Sequence, residues 1–200
     1  MTTTPAKCPP RRIARPAEHR PGPVLVSRRR LARRVAQLGR QIARCYAGRE
    51  LTVVAVMTGS LLFLADLIRR LDLPVRLVLV RVRSYQGPTT CPRPVRVSRL
   101  ADELAGKHVL VVDDILDCGA TLSGLLSRIA RRRPASVRTC VLLRKRREGQ
   151  GITPDFVGFE IDDAFVIGYG LDYDNLYRNL PDVHELTLPP PRATRLEGRR

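Results

Sequence analysis

The sequence has no tryptophan, and aromatic residues make up only 4% of its 200 positions. Flat side chains on which single-stranded bases could stack are therefore scarce. No apolar run approaches the roughly 18 to 20 residues needed to span a bilayer. The opening MTTTPAKCPPRRIARPAEHRPGP lacks the apolar centre of a secretory signal, and its prolines forbid the amphipathic helix of an arginine-rich transit peptide. The five cysteines, Cys8, Cys45, Cys91, Cys118 and Cys140, form no CxxC pair and no Cys/His ligand spacing. Their odd number argues against a disulfide framework and for a reducing, cytoplasmic setting. Apart from Cys118 they are expected to be small apolar fillers.

Positive charge is what the chain has in excess. The formal net charge is +17 and the sequence pI about 11.1, which points to a nucleic-acid partner or an anionic substrate. Much of it lies in the two ends, in the run Arg28 to Arg34, in Arg131 to Arg133 and in Arg144 to Arg147. Arginine on solvated faces is the plainer reading of these clusters. An apolar content of 44% predicts one globular domain with a real core.

From Ser27 to about Tyr46, the residues Leu31, Val35, Leu38, Ile42 and Tyr46 recur at helical spacing, with Ser27 as N-cap. Arg28 to Arg30 occupy the first turn, where the helix dipole disfavours cations; nothing in the sequence explains them. Then follow LTVVAVM (51–57), the helix-like LLFLADLIRRL (61–71), VRLVLVRVR (75–83) and a turn-rich stretch from Ser84 to Arg99. HVLVVDD (108–114), the helix-like ATLSGLLSRIARR (120–132), SVRTCVLLR (136–144) and DAFVIGYGLDY (163–173) complete the series. Short apolar strands alternating with helices predict an α/β fold with a parallel sheet covered on both faces. Order is expected from Val24. The organisation is a disordered Pro/Arg-rich extension (1–22), one domain (23–184) and a disordered basic tail (185–200).

In such a sheet, ligands bind beyond the carboxyl ends of the strands. Two turns fall there, MTGS (57–60) and DDILDCGAT (113–121). In the second, the amides of Cys118, Gly119, Ala120 and Thr121 can converge on an anion at a helix start. Carboxylates beside a phosphate repel it unless each has its own task, whether Mg²⁺ ligation, contact with sugar hydroxyls or proton transfer. The alternative is that Asp113, Asp114 and Asp117 merely cap the following helix.

VVDDILDCGATL resembles the phosphoribosyl-pyrophosphate motif of phosphoribosyltransferases. The stretch from Pro154 to Val183 is similar to the base-binding end of the hypoxanthine-guanine members, and VMTGSLLFLADLIRRL and the RSY before the turn-rich stretch match in order and spacing. The resemblance spans Val24 to Val183. It implies the type I fold, with a mobile lid loop beginning at Ser84 and Tyr85 and a small hood formed by the terminal segments. The implied activity is purine salvage, moving the 5-phosphoribosyl group from phosphoribosyl pyrophosphate to hypoxanthine or guanine with Mg²⁺ as cofactor, in a homodimer or homotetramer.

The same resemblance implies roles by position. Asp113 and Asp114 hold the ribose hydroxyls directly or through Mg²⁺, and Asp117 is the general base near purine N7. Cys118 to Thr121 cradle the 5′-phosphate, while Thr58, Gly59 and Arg178 contact pyrophosphate. Lys145 donates to the 6-oxo group, Phe165 stacks on the base, Val166 offers main-chain contacts, and Asp172 ligates a second Mg²⁺. Plainer readings stand beside these: Lys145 as one of four solvated cations, Phe165 as core, Arg178 as half of a surface ion pair, Asp172 as a turn residue. Three positions depart from the family pattern. Thr58 stands where many members have lysine, next to a usually cis bond, Asp113 where glutamate is more familiar, and Cys118 where a hydroxyl is usual. An RNA-binding regulator on the same scaffold is the alternative function. Nucleic-acid binding through the basic tails is open but not expected.

Overall fold

The structure, a computed structural model, describes residues 20–83, 96–97, 104–147 and 151–187. A six-stranded sheet runs through the middle in the order β4-β3-β2-β5-β6-β7. Its five parallel members are β2 (Leu51–Met57), β3 (Val75–Arg83), β5 (His108–Leu116), β6 (Ser136–Lys145) and β7 (Phe156–Ile161). The two-residue β4 (Arg96–Val97) pairs antiparallel with β3 at the sheet edge. Helices α1 (Arg28–Cys45) and α2 (Leu61–Ile68) cover one face and α3 (Ala120–Ala130) the other.

The apolar residues of α1 dictate its seat. Leu31, Val35, Leu38 and Ile42 are almost wholly buried and pack with Val53, Leu110 and the α2 residues Phe63 and Leu67. Ser27 is the N-cap in extended conformation, but its side chain makes no capping bond. The Arg28 amide instead donates to Asp182 Oδ1 at 2.6 Å. A carboxylate from the far end of the chain thus supplies the negative charge that the first turn lacks. On the opposite face, Leu122, Leu125 and Ile129 of α3 meet Val109, Val111 and Val141.

A second sheet joins the two ends of the fold. β1 (Arg20–Val26), β9 (Val183–Thr187) and β8 (Val166–Ile167) pair antiparallel in the order β1-β9-β8. Among the described residues, regular structure therefore already includes Arg20 to Pro23, ahead of Val24, and continues through Thr187 rather than stopping before Glu185. Pro21, Gly22 and Pro23 disguise β1 as a flexible extension, yet an edge strand tolerates proline because one row of its amides needs no partner. Register shifts between Pro21, Val24 and Val26 absorb the misfit. β7, with the sequence FVGFEI, was not legible as a strand. Of DAFVIGYGLDY only Val166–Ile167 is strand; Gly168 and Leu171 form an isolated bridge around a turn, and Gly168, Tyr169 and Gly170 take positive φ. Ser84, Tyr85 and most of the expected lid lie outside the described residues.

Candidate active site

β2 and β5 are neighbours, with Leu51 opposite His108 and Ala55 opposite Val112. The turns leaving their carboxyl ends are therefore side by side, and a cleft of about 370 Å³ opens between them. The peptide bond between Met57 and Thr58 is cis. Ser60 Oγ donates to Val56 O at 2.5 Å, which closes the turn on itself. Gly59 leaves room for an acid: a Cβ there would sit 1.7 Å from Asp114 Oδ2.

β5 carries Asp113 and Asp114 inside the strand. Asp113 Oδ1 accepts the Asp114 amide and Asp114 Oδ1 the Ile115 amide, each at 3.0 Å. Burial pushes the Asp113 carboxyl well above the usual range, and the neighbouring Asp114 charge adds to it. Burial also raises Asp114, opposed by hydrogen bonds from Asp113 and backbone and by the Arg178 charge. The capping alternative is overturned. The N-cap of α3 is Gly119 at φ +81° with no side-chain cap, so no aspartate holds the helix start. Cys118, Gly119, Ala120 and Thr121 curl around one end of the cleft, with Asp113, Asp114 and Asp117 along its wall.

Lys145, the last residue of β6, is 8% exposed, so it is not one of four solvated cations. Its Nζ lies 3.4 Å from Asp117 Oδ2 and 3.2 Å from Asp163 Oδ1. Arg147 lies 2.8 Å from Asp117 Oδ1 and 2.5 Å from Asp163 Oδ2. Two cations and two anions alternate in a ring, of which Asp117 lines the cleft. Arg147 and then Lys145 hold the Asp163 carboxyl below the usual range. Arg147 and Asp163 were not singled out from sequence, although the i, i+2 spacing of Lys145 and Arg147 was a usable signal. The other cations of that run are paired too, Arg144 with Glu160 and Arg146 with Glu160 and Asp162.

On the far wall, Arg178 donates to Gly170 O at 2.7 Å and lies 2.6 Å from Asp172 Oδ1. Asp172 Oδ2 accepts the Asn175 amide at 2.8 Å, so the ion-pair and turn readings of these two both describe real contacts. Both nonetheless line the cleft together with Thr58 and Gly59. Gly170 packs so tightly that a Cβ there would sit 2.2 Å from Gly59 O. Phe165 is 49% exposed, which corrects the core reading, and its ring meets Tyr173 edge to face at 5.4 Å. Val166 is buried in β8. Cys140 is a buried filler as expected, but Cys45 is exposed.

A five-stranded parallel core with helices on both faces and an acid-lined cleft at its carboxyl edge defines a type I phosphoribosyltransferase fold. The family model of the phosphoribosyl transferase domain matches residues 25–174, and the chain belongs to the phosphoribosyltransferase family. It is 39% identical over 184 residues to a hypoxanthine-guanine phosphoribosyltransferase of Mycobacterium avium, covering 86% of this chain and 91% of that protein. It is 40% identical over 171 residues to a hypoxanthine phosphoribosyltransferase of Haemophilus influenzae, covering 82% and 95%. A crystal structure of a hypoxanthine-guanine phosphoribosyltransferase from Bacillus anthracis superposes with a TM-score of 0.76 at 33% identity, over 84% of this chain and 99% of that one. A hypoxanthine phosphoribosyltransferase from Staphylococcus aureus gives 0.79 at 35%, over 84% and 92%.

Proposed function

We propose that the protein is a purine salvage enzyme that transfers the 5-phosphoribosyl group from phosphoribosyl pyrophosphate to hypoxanthine or guanine, giving IMP or GMP and pyrophosphate. The observation that carries this reading is the placement of Asp117 between an anion cradle at Cys118 to Thr121 and the ammonium of Lys145. That spacing suits a nucleotide, with its phosphate at one end and its base at the other. The relatives named above are enzymes, so a regulator without catalysis finds no support among them.

In this reading the amides of Cys118 to Thr121 hold the 5′-phosphate, helped by the α3 dipole and the Thr121 hydroxyl. Asp113 and Asp114 face the ribose hydroxyls. Lys145 donates to the 6-oxo group, which favours oxopurines over adenine. Phe165, already turned to solvent, covers the base, and the main chain of Val166 borders it. Asp117 takes the N7 proton as N9 attacks C1 of the ribose, and the C1–O bond to pyrophosphate breaks with its electron pair leaving on oxygen. Arg178 and the backbone at Thr58 and Gly59 receive the pyrophosphate. Ser84 and Tyr85 begin the lid that keeps water from the cationic carbon.

The donor set fits Mg²⁺. Among the described residues no cluster of three or more His, Cys, Asp or Glu makes a cage by itself, and Mg²⁺ is commonly held by one or two carboxylates plus substrate phosphates. Asp113 and Asp114 would serve on one side and Asp172 on the other. When bound, the ion neutralises charge on the departing pyrophosphate. The free thiols at Cys45, Cys118 and Cys140 accord with a cytoplasmic setting.

The reading also includes a homodimer. Leu77 and Leu79 of β3 stand on the sheet face that α2 covers over β2, yet remain 47% and 56% exposed. A second copy is the occupant we assign to that apolar strip.

The test is a steady-state assay with phosphoribosyl pyrophosphate, Mg²⁺ and each of hypoxanthine, guanine, xanthine and adenine. Nucleotide is expected from the 6-oxopurines and not from adenine. Asp117→Asn should lower kcat about 10²- to 10⁴-fold, the usual range for a general base. Turnover unchanged in that variant would remove Asp117 from the role.

A further inference from the structure

Helix α1 contains seven arginines and no acidic residue. Two of them serve the fold. Arg34 donates to Gly158 O at 2.8 Å and Val157 O at 2.6 Å, and Arg30 lies over the Phe159 ring at 5.7 Å. Arg29, Arg33, Arg40 and Arg44 do neither. All four are exposed, and among the described residues none has a hydrogen-bond or ion-pair partner. By helical geometry they fall within about 60° of one another, opposite the buried face, along about 22 Å of the helix.

This stripe differs from the basic run that ends β6. Arg144, Arg146 and Arg147 each face an acid. On α1 the first turn has arginines where the helix dipole favours acids, and only the Asp182 contact to the Arg28 amide offsets that. None of the four arginines lines the cleft, so neither folding nor the proposed reaction accounts for them.

We infer that the outer face of α1 is a docking surface for the phosphate backbone of a nucleic-acid duplex, bound without regard to sequence. Guanidinium groups present planar forks that match phosphate oxygens. A row of them at intervals of about 6 to 11 Å suits a rod of regularly spaced anions. Single strands fit less well, because the stripe has no aromatic side chain on which bases could stack. An anionic membrane fits less well too, since the apolar face of α1 is spent in the core and cannot insert.

The experiment uses the full chain and a mixed-sequence RNA duplex of about 20 base pairs, with affinity followed by fluorescence anisotropy between about 50 and 200 mM salt. Replacing Arg29, Arg33, Arg40 and Arg44 by Gln should flatten the slope of log affinity against log salt by about 3.6, at about 0.9 per phosphate contact. Nucleotide synthesis should be retained, which also shows that the variant is folded. If the fourfold variant does not fold, Arg40→Gln and Arg44→Gln should each flatten the slope by about 0.9. The control replaces Arg128, Arg131, Arg132 and Arg133 by Gln and should leave the slope near wild type. Equal flattening in both sets would overturn the proposal in favour of diffuse charge. So would absence of duplex binding at the lowest salt, tighter binding to the single strand, or equal competition by phosphatidylserine vesicles.

Discussion

Asp117 is assigned a proton, yet both of its oxygens already face cations, Arg147 on one and Lys145 on the other. In the proposed reaction the incoming purine competes with Arg147 for the carboxylate, while Arg147 keeps Asp163 as its second partner. Arg147→Met removes that competition and leaves Lys145 in place. An ion pair with both members 40% or more exposed is worth about 1 kcal/mol or less, so the KM for hypoxanthine should fall up to about fivefold. The KM for phosphoribosyl pyrophosphate should stay as it was, and initial-rate kinetics with each substrate varied in turn separates the two. Asp113 gives a prediction in pH. Its folded carboxyl is raised, so the native state keeps a proton that the unfolded chain releases. The cost of ionising it in place therefore grows as pH climbs above the unfolded value and levels off beyond the folded one. Asp113→Asn escapes this cost, and its melting temperature relative to wild type should rise as the pH climbs above about 4. The roles proposed for these acids rest on the family resemblance. Spacing alone allowed three helix caps, and the cap residue turned out to be Gly119.

At the scale of elements, α1 was legible because Leu31, Val35, Leu38 and Ile42 repeat at helical spacing and all face the core. What ties it to β7 was not, because Arg34 reaches carbonyls more than 120 positions away and carbonyls leave no mark in a sequence. Arg34→Ala should destabilise the fold by about 1.5 to 3 kcal/mol, the range for a charged hydrogen bond. Chemical denaturation with an unchanged m-value would check it. β7 escaped notice for a related reason. Gly158 breaks its pattern, yet that glycine is required, since a Cβ there would meet Leu142 O at 2.3 Å. β5 ran two residues past its expected end at Asp114, because Asp113, Ile115 and Leu116 continue the ladder with β6 alone after β2 has stopped pairing at Val112.

For the whole molecule, the parallel sheet and its alternating helices followed from apolar runs that any reader of the sequence can mark. The exposed strip on β3 did not, because Leu77 and Leu79 read as core until the sheet order shows α2 stopping short of them. If that strip is a subunit contact, Leu77→Glu with Leu79→Glu should convert the dimer to a monomer on light scattering, with α1, β5 and the cleft intact by circular dichroism and substrate binding. A dimer that survives both charges would place the contact elsewhere. The terminal sheet has a further consequence. Arg20 lies opposite Thr187, and Val26 opposite Val183, so during synthesis β1 finds its neighbour only after β2 to β8 have been made. During synthesis the parallel core can collapse while β1 waits, and the Asp182 carboxylate that seats α1 arrives just as late. Synthesis of β9, rather than of any one helix, is the event that closes this second sheet.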